Sequence, residues 1–235
     1  MSLDNSKVDA EQHRKLRMAA RALGRAGLVH AFGHCSVRTS DNEFLVCAAQ
    51  PMGCIPAGAD NTPVPVSGDL PDGVLGEVRI HQAIYQRRPN IAAVCRIMSP
   101  AVMALSTQGV TPKCRHGLSA YFANDIPLWR DPRLLRNDEA AQALADLMGE
   151  RTALVMRGNG AVVAAETLEE AISYAWFLED TARLELSVRS AGFSPEEGLL
   201  DEDEVRDRQV MSGNVFGRMW QFLTDGDPEE KTEEN

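Results

Sequence analysis

Residues 153–171 read ALVMRGNGAVVAAETLEEA. Two apolar runs, Ala153–Met156 and Ala161–Ala165, flank RGNG. Glycine tolerates positive φ, so Gly158 and Gly160 mark a tight turn between two strands. Thr167 followed by Glu170 is a capping box and predicts a helix start. That helix is predicted to be the longest in the chain and to end near Gly192. Strand, turn, strand and capped helix within so short a span predict an α/β protein.

The pattern continues toward the N-terminus. Ala141, Leu144 and Leu147 recur at helical spacing within Asp138–Gly149. Tyr121–Trp129 reads as mixed loop and strand. Pro100 stands where a proline suits the first turn of a helix, AVMALSTQG. Before it, Ala93–Pro100 (AVCRIMSP) reads as a buried strand with an arginine, Arg96, in its middle. A helix is predicted from Leu75 to Arg88, stopped by Pro89. Residues 50–73 hold Pro51, Pro56, Pro63, Pro65 and Pro71. That density leaves loop with at most one short strand. Ser36–Arg38 and Glu43–Ala48 around SDN read as a hairpin. Asp9 with Gln12 predicts the start of a helix over Ala10–Ala26, carried by Leu16, Ala19, Ala20 and Leu23. The acidic end, DGDPEEKTEEN, predicts a disordered tail over 225–235 behind a single domain over 1–224.

The chain has 235 residues, 44% hydrophobic and 25% charged, with a formal net charge of -10. An acidic surface argues against non-specific binding to nucleic acid or to anionic membranes. No stretch approaches the roughly 18 apolar residues of a membrane helix, and MSLDNSKVDAEQHRK does not resemble a signal peptide. The cysteine count is 5, odd and without a CxxC, so reduced thiols in a cytoplasmic protein are expected. The sequence holds no P-loop, no GxGxxG and no nucleophile elbow.

Four stretches, in order, carry a resemblance: GLVHAFGHCSVR (27–38), GEVRIHQAIYQRRPNIAAV (76–94), ALVMRGNGAVVAAETLEEA (153–171) and WFLEDTARLEL (176–186). Together they resemble the class II aldolase/adducin superfamily over about residues 16–186. The resemblance implies a three-layer α/β/α fold around a central, mainly antiparallel sheet. It also implies a homotetramer with active sites between neighbouring subunits. In the family's aldolases a divalent metal is held by His-x-His on a strand and a third His in a His-Gly turn. Alternate strand residues share a face, so two imidazoles can reach one ion. Here Arg96 and Met98 stand at the pair and Asn159 at the third position. No metal is therefore expected there, and no other cofactor. A guanidinium can supply a fixed cation for a carboxylate or enolate. Arg96 can equally fill space and pair with a core acid such as Glu77.

Glu77 matches the family's catalytic glutamate, and a glutamate beside a desolvated cavity suits general acid–base work. It can equally be a charge favourable at a helix N-terminus. His81, four residues on, shares its helical face and can instead be a structural anchor. The family's phosphate-binding words are lost. GHCSVR puts His34 at the asparagine position, the serine pair is Leu75 and Gly76, and AAQPMG lacks the threonine. A sugar phosphate is thus a poor fit. His34, His81, Arg38, Arg115 and His116 are candidates to bind a carboxylate or phenolate, and Tyr121 is a further substrate-binding candidate or an interface contact. Arg38 on a hairpin strand can equally be a surface charge. Glu179 falls on an apolar helical face, as a paired core acid would. The resulting expectation is a metal-independent lyase acting beside a carbonyl of a small, non-phosphorylated hydroxy-carboxylate or phenol. Arg96 would hold the anion, Asn159 would donate to an oxyanion and Glu77 would move the proton. Two alternatives remain: an adducin-like relative kept for binding or assembly, and a metal site relocated to Glu77, His81, His34 or Cys95.

Overall fold

The computed structural model describes residues 2–123 and 126–230, with side chains from Ala10 onward. Seven strands form one sheet: β1 (His34–Ser40), β2 (Glu43–Val46), β3 (Thr62–Pro65), β4 (Ala93–Ile97), β5 (Leu128–Trp129), β6 (Ala153–Met156) and β7 (Ala161–Ala165). Their order is β3-β2-β1-β4-β7-β6-β5. Every pairing is antiparallel except β5 with β6. The helices are α1 (Ser2–Arg25), α2 (Arg79–Arg87), α3 (Pro100–Thr107), α4 (Asp138–Met148), α5 (Leu168–Ser190), α6 (Glu202–Arg208) and α7 (Val215–Thr224). This is the mainly antiparallel α/β architecture expected from the sequence.

Each face of the sheet carries its own core. Cys35, Cys95, Ile97 and Val163 pack against α1 and α5, with Leu16, Leu23, Ile172 and Phe177. Val94, Leu154 and Val162 pack with α2 and α4 through Ile80, Ile84, Leu144 and Met148. The alternation along β4 therefore assigns Cys95 and Ile97 to one layer, and Val94 and Arg96 to the other. On α4 the buried stripe runs through Ala141, Leu144, Ala145 and Met148, and Leu147 points outward.

Local signals explain the element boundaries. Thr167 Oγ1 accepts from Glu170 N–H at 3.1 Å and starts α5. Asn137 does the same for α4, accepting from Ala140 N–H at 2.8 Å. Glu179 is the paired core acid foreseen: it accepts from Ala101 and Val102 N–H at the start of α3 and from Arg183. The proline-rich stretch contributes β3 and a 3-10 turn at Met52–Cys54. None of the five cysteines forms a disulfide.

Three readings are corrected. The first helix begins at Ser2, so Asp9 lies inside it and not at its start; the Asp9 side chain is outside those described. Gly76–Val78 form a 3-10 turn, capped by extended Leu75, before α2 begins at Arg79. The tail expected to be disordered is docked as far as it is described. Asp227 pairs with Arg21 (2.6 Å) and Arg25 (2.9 Å), and Glu229 pairs with Arg17 (2.5 Å) and Arg21 (2.7 Å). Arginines one helical turn apart on α1 line one face and meet both carboxylates. Residues 231–235 of that tail lie outside the described residues.

Candidate active site

Two close backbone approaches shape the site. Gly160, at φ +80°, ends the β6–β7 turn so tightly that a Cβ there would run into the Ile97 carbonyl oxygen. This contact brings Asn159 beside Met98 at the end of β4. Gly33, at φ +131°, presses on Val29, and a Cβ there would lie 3.0 Å from the Arg96 carbonyl oxygen. It delivers His34 to the start of β1, where His34 and Arg96 are cross-strand partners. Partners on adjacent strands present side chains to the same face. The 3-10 turn Gly76–Val78 hangs Glu77 over that face.

Between these elements lies a cavity of about 560 Å³. That is within the usual range for a small-molecule site. His34, Glu77, Met98, Asn159, Gln50 and Arg136 line it, together with Phe32, Leu75 and Leu134. The last three are all exposed, so the mouth is rimmed with apolar side chains. Met98 borders the space without filling it.

Several buried polar atoms around this cavity have no hydrogen-bond partner in the protein: His34 Nε2, Glu77 Oε1, Arg96 Nε and Asn159 Nδ2. Buried polar groups are nearly always satisfied, so such a cluster marks a place where a ligand or water belongs. Arg96 is only 1% exposed and sits one layer behind the lining. Its Nη1 donates to the Ile97 carbonyl at 2.6 Å, and its Nη2 stands 3.9 Å from Glu77 Oε1. That separation permits attraction but not a hydrogen bond. Burial lowers the Arg96 pKa, and the Glu77 carboxylate opposes the shift. The expectation that Arg96 points at the pocket is thus refined: it faces the pocket's floor, behind Glu77.

His81 does not lie at the cavity surface. It is fully buried, its Nε2 2.8 Å from His34 Nδ1 and its Nδ1 2.6 Å from Ser36 Oγ. Burial pushes the His34 pKa well below the ordinary range, helped by His81 and by the Arg96 charge. Burial and Arg96 together push His81 down to about 3. Both imidazoles are therefore neutral at physiological pH. Arg38, a candidate anion ligand, instead donates to the Tyr85 and Ile91 carbonyls and lies over the Tyr85 ring.

Arg115, His116 and Tyr121 are not brought to this cavity. Arg115 is tied to Glu185 (2.7 Å) and to the Glu197 and Pro195 carbonyls. His116 bridges Asp180 (2.8 Å) and Ser119 (3.0 Å). Asp180, His116 and Ser119 resemble a catalytic triad, but Ser119 Oγ already accepts from two backbone N–H groups and donates to the His116 carbonyl. It has no free lone pair for nucleophilic attack. Tyr121 donates to the Val210 carbonyl at 2.6 Å.

Sequence reasoning missed Arg136, Gln50 and Phe32. Arg136 sits just before the Asn137 cap, its aliphatic stem against Gly76, and no motif marks it. The relocated metal site is not borne out by the side chains present. Among the described residues no three His, Cys, Asp or Glu side chains converge as a metal site. His34 and His81 turn nitrogens toward each other, and a guanidinium occupies the space behind Glu77.

Comparison with known proteins agrees with this fold. The family model for the class II aldolase and adducin N-terminal domain matches residues 14–186. The chain belongs to that family. It is 29% identical over 195 residues to a 3,4-dihydroxyphthalate decarboxylase of Arthrobacter keyseri, covering 75% of this chain and 78% of the relative. It is 25% identical over 187 residues to beta-adducin of Rattus norvegicus, covering 70% of this chain but 25% of that protein. An L-fuculose 1-phosphate aldolase structure from Glaciozyma antarctica superposes with a TM-score of 0.75 at 20% identity, covering 91% of this chain and 88% of that one. No helix among the described residues is long and apolar enough to cross a membrane.

Proposed function

We propose that the chain is a lyase that decarboxylates a small aromatic hydroxy-carboxylate without a metal at its cavity. The observation that carries this reading is the convergence of Glu77 Oε1, His34 Nε2 and Asn159 Nδ2, buried and unpaired, on one cavity. A carboxyl group able to relay a proton and two nitrogen donors suit an anion beside a carbon to be protonated. The likeness to dihydroxyphthalate decarboxylases supports the substrate class.

In this reading Arg136 at the rim and Asn159 receive the substrate's carboxylates. Arg96 supplies a fixed positive potential from the floor. Glu77 relays a proton from water to the ring carbon that bears the departing carboxylate. The carbon–carbon bond breaks, its electron pair returns to the ring and carbon dioxide leaves. The hydroxide left by that water is taken up by carbon dioxide as bicarbonate. Asn159 donates to the oxyanion as charge develops, a contribution typical of preorganised donors. The exposed apolar rim of Phe32, Leu75 and Leu134 suits closure by a neighbouring copy, and a homotetramer accords with the family. The five reduced thiols fit a cytoplasmic setting.

The test is turnover of 3,4-dihydroxyphthalate by purified protein in excess chelator, read as carbon dioxide and 3,4-dihydroxybenzoate. Turnover that persists in chelator, with light scattering near four times 25.7 kDa, is the expected result. Activity that disappears with chelator and returns with zinc overturns metal independence. A non-catalytic binding or assembly role is favoured if no hydroxy-carboxylate raises the melting temperature.

A further inference from the structure

Behind His34 runs a closed chain of hydrogen bonds. His34 Nδ1 lies 2.8 Å from His81 Nε2. His81 Nδ1 lies 2.6 Å from Ser36 Oγ, and Ser36 Oγ lies 2.8 Å from Tyr85 OH. The far end, Tyr85 OH to the Ala92 carbonyl, is 3.5 Å. All four residues are buried. Phe44 stacks over His81 and packs against Tyr85, closing the sides. Ser36 follows His34 by two on β1, so both face α2; His81 and Tyr85 lie four apart on α2, so both face β1.

Counting protons decides the polarity. Two neutral imidazoles and two hydroxyls carry four hydrogens for three short links, so one hydrogen is left at an end. At the tyrosine end the acceptor is 3.5 Å away, the limit of a hydrogen bond. At the other end His34 Nε2 is buried, has no protein partner and lines the cavity. A ligand oxygen there would take the hydrogen at a normal distance. Tyr85 then donates to Ser36, Ser36 to His81 Nδ1, and His81 Nε2–H to His34 Nδ1. The charged groups near the pair, Arg96 and Glu77, flank this chain but do not interrupt it.

We propose that Ser36, Tyr85 and His81 order the protons of His34, presenting it to the cavity as an Nε2–H donor and making His34 a specificity residue for substrates with an acceptor oxygen beside the carboxylate. His81, Ser36 and Tyr85 are positioning residues. They act only through the tautomer of His34. A neutral donor selects a phenolate, enolate or carbonyl oxygen without adding a second cation next to Arg96. The relay stands on the geometry alone; the named class of oxygen rests on the proposed decarboxylase reading.

The experiment uses the full chain with 15N-labelled histidine. Long-range proton–nitrogen spectra distinguish a protonated from an unprotonated ring nitrogen. In the wild type His34 and His81 should both be Nε2–H tautomers, unchanged between about pH 5 and 8. Ser36→Ala and Tyr85→Phe, folded by circular dichroism, should turn His34 into a mixture or into its Nδ1–H form. In parallel, 2-hydroxybenzoate and benzoate are titrated calorimetrically. The wild type should favour the hydroxy acid about tenfold, the worth of one good hydrogen bond, and Ser36→Ala should lose most of that preference. An Nδ1–H tautomer at His34 in the wild type overturns the relay, as does a spectrum unchanged in both variants. A preference that survives the altered tautomer overturns the specificity role. Failure to decarboxylate 3,4-dihydroxyphthalate, with the tautomer and the binding preference intact, removes the proposed reaction and leaves the relay standing.

Discussion

Replacing Arg96 by methionine separates an electrostatic floor from a structural ion pair. The guanidinium is 1% exposed, makes one hydrogen bond to a carbonyl and stands 3.9 Å from Glu77. At an effective dielectric near 20, attraction over that distance is about 4 kcal/mol, an upper bound. Taking a guanidinium out of water costs several kcal/mol, so the two terms nearly cancel. The Glu77 side chain is 20% exposed, so water can reach it once Arg96 is gone. Losing the bond to Ile97 adds about 1 kcal/mol. The net expectation is a loss of no more than about 2 kcal/mol, or a fall of roughly 4–8 °C in Tm for a chain of this size. Ligand binding should suffer more. A charge about 6 Å behind a bound carboxylate contributes roughly 2–3 kcal/mol, or about 30–100-fold in Kd. The assay is a thermal melt of wild type and Arg96→Met, with and without 3,4-dihydroxyphthalate. A variant that melts more than about 15 °C lower would show that Arg96 is a structural partner of Glu77. One that keeps the full ligand-induced rise would show that its charge is not felt in the cavity.

Other perturbations probe other links in the same chain of reasoning. Glu77→Gln should keep 3,4-dihydroxyphthalate binding by calorimetry yet slow its turnover by about 10²–10⁴-fold, because proton transfer is removed while the side chain keeps its size. Asn159→Ala should lower kcat by about 10²–10³-fold if its amide stabilises developing charge, measured by the same product assay. Gly160→Ala should cost at least about 1–3 kcal/mol in denaturant unfolding, because a Cβ there meets the Ile97 carbonyl at positive φ. The two imidazoles held neutral by burial bind protons only when the chain unfolds. Below about pH 6.5 the unfolded state thus carries more protons, and stability should fall with a slope approaching about 2.7 kcal/mol per pH unit. A separate loss should follow below about pH 4. Burial works against it, but hydrogen bonds from Arg21 and Arg25 hold Asp227 near about 2, and those from Arg17 and Arg21 hold Glu229 near about 2. Asp227→Asn should flatten that second limb in pH-dependent melts.

Much of the fold was legible because its signals are local. The RGNG turn, the Thr167 cap and the apolar run AVCRI each announce an element by themselves. Helices α6 and α7 and the docking of Asp227 were not legible. An acidic terminal run has the composition of a solvated tail, and only the arginines repeated along α1 make it pack. At the site, Glu77, His34 and Asn159 were found through motif words, and the structure brings them together. His81 was placed beside Glu77 because both occur at i and i+4. The segment at Glu77 is 3-10, however, so the two side chains diverge and His81 turns to His34 and Ser36. Arg136 and Phe32 reach the cavity from loops, where no periodicity records direction.

The energetics also bear on why this cavity persists in a fold that seals its two cores so well. Each unsatisfied buried polar atom costs about 1–3 kcal/mol, and four stand around a single cavity. Their sum is comparable with the whole margin of stability of an ordinary protein. An assembly surface gains nothing from such groups, since apolar residues of the same size would pack there at no penalty. A ligand that supplies oxygens to His34 and Asn159, in the field of Arg96, relieves much of that cost where it binds. Melting temperatures should therefore rise steeply for an anion with two well-placed oxygens and little for an apolar ring of the same size. An equal rise for both would mean that the apolar rim alone does the binding, and the polar floor would then need another explanation.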